Sequence, residues 1–187
     1  WLFTTNVSVF TSNGSFLVKP EDFKGVKIRG LEPSFNASLE ALGAAPSSMS
    51  GSKVYQALAT NVIDAGLTDV SAAVSRKYFE VQDHFTVVPV ISVYFHGYVN
   101  PTWYDSLSEK NRAALDRAGK TAAAMAIDAS IAASADAPDT LRSKGSNVHI
   151  ATDAEITALE AVMRPAFDAK FKGNDDASKL IELIAKM

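Results

Sequence analysis

A guanidinium group stands at the end of a short apolar run in the first quarter of the chain. The run Val26–Arg29 is followed at once by Gly30, and Pro33 comes soon after. This order predicts a strand that ends at Arg29. The carboxyl ends of strands in open α/β sheets form the crevice where ligands bind, and an arginine fork pairs with a carboxylate through two parallel hydrogen bonds. The chemistry that these residues allow is therefore capture of an organic acid.

A second interpretation of Arg29 stays open from these residues alone. Most arginines are solvated, and Glu32 or Glu40 is close enough in sequence to accept a surface salt bridge from this one. The choice between a binding and a surface role has to come from the rest of the chain.

Other residue types argue against catalysis. The chain has no cysteine, which excludes disulfides, thiolate nucleophiles and cysteine-ligated metals. Its three histidines, His84, His96 and His149, lack metal-ligand spacing. We find no nucleophile elbow, P-loop or dinucleotide fingerprint, and we interpret Asp64 as a capping or turn residue. We therefore expect no enzyme, no cofactor and no metal.

Composition excludes further classes of partner. A net charge of -3 with scattered lysines and arginines gives no electrostatic footprint for nucleic acid or an anionic membrane. No apolar run is long enough to cross a bilayer. The chain starts at Trp1 rather than Met, so we expect a missing amino-terminal part that carried a signal peptide.

The elements around Arg29 alternate between strands and helices at short intervals. This alternation predicts βαβ units with a largely parallel sheet. The predicted elements are an extended region with a bend over 1–19, the strand Val26–Arg29, a helix from Ser34 to Gly43, an extended 44–49, a helix capped by Ser50 or Ser52, a strand Val62–Gly66 and a helix Val70–Tyr78.

The second half predicts one crossing strand and one long helix. Val87–Val99 is β-branched, aromatic and too apolar for an edge strand, so we expect it to cross between halves of the molecule. Ser108 is a plausible N-cap for a long helix whose small-residue seam packs against the body; a coiled coil would need larger seam residues. A short strand at Ile150, a helix from Asp153 and an amphipathic closing helix follow. The seam comprises Leu115, Ala118, Ala122, Met125, Ala129 and Ala132.

The segment Pro20–Arg29 carries a resemblance to a known family. It is similar to the P-x-D-L-K-G-L-K-I-R motif of the solute-binding proteins of tripartite ATP-independent periplasmic (TRAP) transporters, the DctP family. Further landmarks of that family follow in order at 42–46, 54–58, 62–64, 77–81 and 103–107.

The resemblance implies a two-lobed α/β periplasmic solute-binding protein fold that closes by a hinge. Residues 1–187 would form its carboxy-terminal three-fifths, with an incomplete first lobe. We expect residues from about 20 to 90 to form the βαβ core of the second lobe. Residues from about 91 to 187 would then supply the crossing strand, a long helix spanning both lobes and the carboxy-terminal helices.

The resemblance also implies a site. The family's carboxylate-binding arginine falls on Arg29, and Thr68 stands where the family often has an asparagine. Asp69 is expected to accept from a ligand hydroxyl, and one face of the strand with Tyr94 and His96 to line the cleft. The predicted ligand contacts are Arg29, Gly51, Thr68, Asp69, Tyr94 and His96, with Asn6, Asn36, Tyr98 and Trp103 as further candidates.

Two positions depart from the family pattern. Lys53 replaces a usual glutamate. Val9 stands where sialic-acid-binding members carry a second arginine, which argues against sialic acid.

The function that the resemblance implies is capture of a small organic acid in the periplasm and its delivery to TRAP permease subunits in the membrane. The sequence leaves two alternatives open: the sensing module of a signalling system, and a periplasmic enzyme.

Overall fold

The computed structural model describes residues 2–5 and 7–184, so Trp1 and the candidate contact Asn6 lie outside the described residues. The strands are β1 (Leu2–Thr4), β2 (Ser8–Ser12), β3 (Lys27–Gly30), β4 (Ala45–Ser48), β5 (Gly66–Asp69), β6 (His84–Val88), β7 (Tyr94–His96) and β8 (Asn147–Ile150). The α-helices are α1 (Pro33–Ala41), α2 (Gly51–Ala59), α3 (Val70–Ser75), α4 (Pro101–Ser106), α5 (Glu109–Ser143), α6 (Asp153–Ala169) and α7 (Asp175–Ile184). Short 3-10 turns cover Pro20–Phe23 and Tyr78–Glu80.

The central sheet is mixed, with the order β5-β2-β6-β8. Strand β2 runs antiparallel to both β5 and β6, whereas β6 and β8 are parallel. Our prediction of a largely parallel sheet was therefore wrong for this part. The segment that we took for an extended region with a bend lies at the centre of the sheet, and Val9 and Phe10 are fully buried there on opposite faces.

The unit β3-α1-β4 is the parallel βαβ unit that the sequence predicted. Lys27–Gly30 pairs in parallel with Ala45–Ser48. Helix α1 starts at Pro33, buries Phe35 and Leu39, and is followed by Gly43, whose φ of +86° favours a residue without a Cβ. A parallel bridge from Ile28 to Ala65 places β3 beside the start of β5.

The strand predicted at Val62–Gly66 lies four residues further on, at Gly66–Asp69. Residues 62 and 63 close the end of α2 instead, because both backbone N–H groups donate to the carbonyl of Ala57. Val62 is 62% exposed. Gly66 lies so close to β2 that a Cβ would approach Thr11 Oγ1 to 2.6 Å. The correction places Thr68 and Asp69 at the carboxyl end of β5.

The predicted crossing strand over Val87–Val99 is two strands. β6 ends at Val88, and the chain turns at Pro89 with the backbone N–H groups of residues 90 and 91 both donating to Ser8 Oγ. β7 then pairs antiparallel with β1 in a separate two-stranded ribbon. All three β7 residues are exposed, so the expectation of a non-edge strand was wrong here.

Helix α5 is the predicted long helix of 35 residues, and Ser108 caps it by accepting from the Asn111 backbone N–H at 3.3 Å. The predicted seam was wrong. Met125 and the alanines assigned to the seam are exposed, and the buried positions are Gly119, Ser134, Ala137 and Leu141. Alanines surround this helix, so their spacing does not define one face.

Two layers of helices cover the sheet. α1 and α6 pack on the cluster around Phe10, Ile28 and Leu67. The end of α5, with α2 and α3, packs on the cluster around Val9 and Phe85. Within the described residues, no helix combines the length and the apolar character needed to cross a membrane.

Candidate ligand-binding site

A cavity of about 610 Å³ opens where the ends of β3 and β5 meet α3, α5 and the β1–β7 ribbon. We call it the arginine cavity. Four of the six predicted contacts line it, namely Arg29, Gly51, Thr68 and Asp69. The strand end predicted at Arg29 and the positions that the family resemblance implied are therefore brought together with the start of α2.

Arg29 is held on two sides of its guanidinium. Its Nη1 donates to the Leu67 carbonyl at 2.7 Å and its Nε donates to the Met49 carbonyl at 3.3 Å. The side chain is only 8% exposed. Nη2 makes no hydrogen bond with the described residues, and Arg29 forms no ion pair with an acidic side chain among them.

The electrostatic surroundings do not compensate this charge. Burial is the largest effect on the pKa of Arg29 and lowers it below its ordinary value; the Tyr78 side chain raises it and the positive charge of Arg76 lowers it further. A guanidinium stays protonated in proteins. The cavity therefore presents a buried cation that the backbone holds in place and whose Nη2 can still donate hydrogen bonds.

Arg76 is a second cation in the arginine cavity, and sequence reasoning missed it. Its Nη1 donates to Thr68 Oγ1 at 3.3 Å, and its guanidinium lies directly over Gly51. A Cβ on Gly51 would come within 2.4 Å of Arg76 Nη1, so this glycine makes room for the arginine. The sequence feature that could have identified Arg76 is the short helix α3, which begins directly after Asp69 and ends directly before Arg76.

Asp69 uses one carboxylate oxygen for the fold. Oδ1 caps α3 by accepting from the backbone N–H groups of Ser71 at 2.9 Å and Ala72 at 3.4 Å, and it also accepts from Ser71 Oγ. Oδ2 is buried and has no partner among the described residues. Neighbouring Thr68 is 6% exposed and accepts from Arg76.

Tyr94 and His96 do not line the arginine cavity. They alternate along β7 with Phe95, which does line it and stacks on Phe3 with ring centroids 4.9 Å apart. Tyr94 is 61% exposed. The strand was identified, but the face directed to the cavity is the other one.

The further candidates lie elsewhere. Asn36 accepts from the Leu31 backbone N–H and donates to Ser48 Oγ, which is a structural role. Tyr98 and Trp103 are exposed and do not line the cavity. Helix α5 contributes a wall that we did not predict, made of Ala126, Ala129, Ser130 and Ala133.

Two of the histidines and Asp64 are engaged outside the cavity. His84 pairs with Asp83 and His149 with Glu155, and Asp64 accepts from the Lys27 backbone N–H at the start of β3, as a turn residue would. The described part of the chain contains no group of three or more histidines and carboxylates that could hold a metal ion.

Comparison with known proteins identifies relatives over nearly the whole chain. The model of the DctP family, bacterial extracellular solute-binding protein family 7, matches residues 3–174. A C4-dicarboxylate-binding periplasmic protein DctP of Rhodobacter capsulatus is 33% identical over 161 residues, covering 81% of this chain and 46% of that protein. A solute-binding protein of Albidiferax ferrireducens is 26% identical over 179 residues, covering 92% and 52%.

Solved structures share the fold. A TRAP periplasmic solute-binding protein from Rhodoferax ferrireducens with bound malonate superposes with a TM-score of 0.87 at 24% identity, covering 99% of this chain and 60% of that one. One from Sulfitobacter with bound β-D-galacturonate gives 0.90 at 19% identity, covering 100% and 62%. The α/β solute-binding fold implied by the resemblance is confirmed.

This chain spans about half the length of the curated relatives it matches. Its family match covers most of its own length, from β1 to the end of α6 and beyond. The chain belongs to the DctP family of bacterial extracellular solute-binding proteins.

Proposed function

We propose that this chain forms the ligand-binding part of an extracytoplasmic solute-binding protein of a TRAP transporter, which captures a small organic acid through Arg29. The observation that carries the proposal is the state of Arg29: 8% exposed, tied to two backbone carbonyls, unpaired with any acid in the described residues, and facing a cavity.

A buried cation without a counter-ion is costly to hold in a folded protein. The two backbone acceptors offset part of that cost and also fix the direction of the guanidinium. A carboxylate that enters the cavity supplies the missing negative charge and accepts from Nη2. Arg29 is thus organised before the ligand arrives, which reduces the ordering cost of binding.

The charge of the cavity favours an anion although the chain as a whole is acidic. Its charged lining residues are Arg29, Arg76 and Asp69, so the lining carries more positive than negative charge. Phe3 and Phe95 supply apolar surface at the opposite wall. Excluding water there strengthens each ion-to-carboxylate hydrogen bond.

Binding without chemistry is the simplest use of these groups. Among the described residues that line the cavity there is no cysteine, lysine or histidine, so none of its serines has a histidine base beside it. The relatives are themselves described as solute-binding proteins. Periplasmic location and delivery of the loaded acid to membrane permease subunits are the parts of the proposal that rest on those relatives, as does the assignment of residues from about 20 to 90 to one lobe.

The test is a thermal-shift and calorimetric panel on the complete encoded protein. Mono- and dicarboxylates, 2-oxo acids, hydroxy acids and sugar acids are each compared with their own amide or ester. A ligand at 100 times its dissociation constant adds about 2.7 kcal/mol of stability. We expect hits that disappear on esterification. Hits that ignore esterification, or a panel without hits, would contradict the proposal.

A further inference from the structure

The hydroxyl of Ser8 uses its whole hydrogen-bonding capacity on one short stretch of backbone. It donates to the Val88 carbonyl, where β6 ends, and it accepts from the backbone N–H groups of Val90 and Ile91, both at 3.2 Å. A hydroxyl has one hydrogen and two acceptor positions, so none is left for a molecule in the arginine cavity. Ser8 lines that cavity and is only 1% exposed. Its role there is therefore something other than contact with a ligand.

The backbone that Ser8 holds is the point where the pairing of two strands is interrupted. The central sheet pairs Ser8 with Val88, and the β1–β7 ribbon pairs Thr4 with Tyr94. The step from Thr4 to Ser8 is four residues, whereas the step from Val88 to Tyr94 is six. Two extra residues on one side break the backbone ladder, and the ribbon is a separate sheet for this reason.

Side-chain hydroxyls replace the missing backbone acceptors in the interruption. At the ribbon end, Thr5 Oγ1 accepts from the Val93 backbone N–H at 3.2 Å, and the Thr5 N–H donates to the Val93 carbonyl at 3.0 Å. At the sheet end, the Val90 N–H also reaches the last carbonyl of β6 at 3.0 Å. The Ile91 N–H has no acceptor other than Ser8 in the part of the chain that the structure describes. Two hydroxyl groups thus carry the connection from sheet to ribbon.

The ribbon forms a wall of the arginine cavity. Phe3 and Phe95 line the cavity from the ribbon, and their rings stack with centroids 4.9 Å apart, so they move together. Arg29 lines the cavity from β3. Strand β1 also contacts α5, so the ribbon is held by packing on α5 and by the hydroxyls at the sheet. A rotation of the ribbon about the interruption changes the distance from the aromatic wall to Arg29.

We propose, resting on the proposed function above, that Ser8 is a positioning residue for acid binding and that Thr5 assists it. The Ser8 hydroxyl fixes the orientation of the β1–β7 ribbon relative to the central sheet, and so holds the aromatic wall in place opposite Arg29. Removing the hydroxyl loosens the ribbon in the ligand-free protein. It also weakens the binding of an acid that never touches Ser8, because the loosened wall has to be ordered again on binding.

The orientation of the ribbon is measured by spin-label distances in the complete encoded protein without ligand. Labels are attached to Tyr94→Cys in β7 and Val62→Cys after α2, because these side chains are 61% and 62% exposed and this chain has no cysteine. We expect the distance distribution of Ser8→Ala to be about twofold broader than that of the wild type, since the Ile91 N–H then lacks an acceptor. The matched control is Ser12→Ala, whose serine is 7% exposed at the other end of β2 and donates within its own turn.

Binding is measured by isothermal titration with malonate, succinate, pyruvate and glucuronate, and the variants are titrated with whichever of these the wild type binds most tightly. Ser8→Ala should bind that acid about tenfold or more weakly, and Ser12→Ala within about threefold of the wild type. Thr5 offers a second pair of variants. Thr5→Val removes the hydroxyl at nearly constant volume and should broaden the distances and weaken binding, whereas Thr5→Ser keeps the hydroxyl and should restore both. A role of side-chain volume alone would give the opposite order.

The outcomes separate this role from carboxylate capture. A distance distribution of Ser8→Ala as narrow as that of Ser12→Ala overturns the positioning role and leaves carboxylate capture standing. Broadened distances with an affinity equal to that of Ser12→Ala overturn it too. No binding of any of the four acids and of the wider panel overturns the proposed function and the positioning role with it, whatever the distances are. If Ser8→Ala does not fold, the comparison of Thr5→Val with Thr5→Ser decides.

Discussion

Replacing Arg29 with lysine separates the shape of the guanidinium from its charge. The lysine keeps the positive charge but has one compact ammonium group in place of a planar fork. Arg29 reaches the Leu67 carbonyl with Nη1 and the Met49 carbonyl with Nε, and Nη2 remains for the ligand. An ammonium cannot occupy all three positions, so it either keeps the backbone contacts or turns to the carboxylate.

The size of the effect follows from the hydrogen bonds at stake. A hydrogen bond to a charged group contributes about 1.5–3 kcal/mol, and lysine loses at least one of those that the bound carboxylate accepts. That loss corresponds to a decrease in affinity of about 10- to 150-fold. Because the positive charge remains, the preference for acids over their esters should survive in weakened form.

The assay is isothermal titration of the complete encoded protein with the best acid from the panel. Arg29→Gln, which removes the charge as well, should bind more weakly than Arg29→Lys. Arg142→Lys is the control, because Arg142 is about half exposed and pairs on the surface with Asp139. An affinity of Arg29→Lys within about threefold of the wild type would refute the reasoning. Such a result would mean that the planar guanidinium does not form a bidentate contact with the ligand carboxylate.

Three further predictions concern other parts of the molecule. Gly51→Ala should weaken acid binding about fivefold or more in titration with little change in melting temperature, because its Cβ displaces the Arg76 guanidinium; unchanged affinity would place Arg76 outside the site. Thr152 and His149 lower the pKa of Glu155 from 4.5 to about 2, so Glu155→Gln should reduce the melting temperature at pH 6, and the difference should shrink as the pH falls from 4.5 toward 2. Ile63→Ala should cost about 2–5 kcal/mol in urea unfolding and Val62→Ala close to nothing, because the first is buried and the second exposed; equal costs would restore a strand at this position.

The lowered pKa of Glu155 makes the stability of the folded protein fall as the pH decreases. A carboxyl group whose pKa is lower in the folded protein binds fewer protons there than in the unfolded chain, so its contribution is present above the unfolded value and is lost on acidification. A mutant that gained stability relative to the wild type as the pH rose from 2 to 6 would contradict the assignment.

Start and stop signals in the sequence correctly predicted the unit β3-α1-β4. Pro33 at the start of the helix and Gly43 after its end are signals that act within a few residues. The same kind of signal failed at Val62, where an apolar pair after a helix reads as a strand. Whether such a pair enters a sheet depends on the partner strand, and β5 forms only where Gly66 allows close approach to Thr11.

The site could be predicted only in part. Arg29 follows from the end of a predicted strand, and Thr68 and Asp69 follow from the family resemblance, whereas Arg76 enters through the close approach of α2 and α3, which no local pattern encodes. For β7 we predicted the strand correctly but not which of its faces lines the cavity, because a shift of one residue exchanges Phe95 for Tyr94 and His96. The arrangement of α5 was equally hidden, since alanines occupy all its sides.

A single parallel bridge from Ile28 to Ala65, just before β5, ties the position of Arg29 to that strand. The Arg29 backbone N–H donates to the carbonyl of Ala65, which precedes β5, and its side chain donates to the carbonyl of Leu67 within β5. Asp69 lies two residues further on, fixed by its cap on α3. The spacing between the cation and the unused carboxylate oxygen is therefore set by strand register and by a helix cap rather than by flexible side chains. Neither protein group can move without giving up hydrogen bonds to the backbone that hold the sheet and the helix together, so we expect a ligand to adapt to the site rather than the site to the ligand.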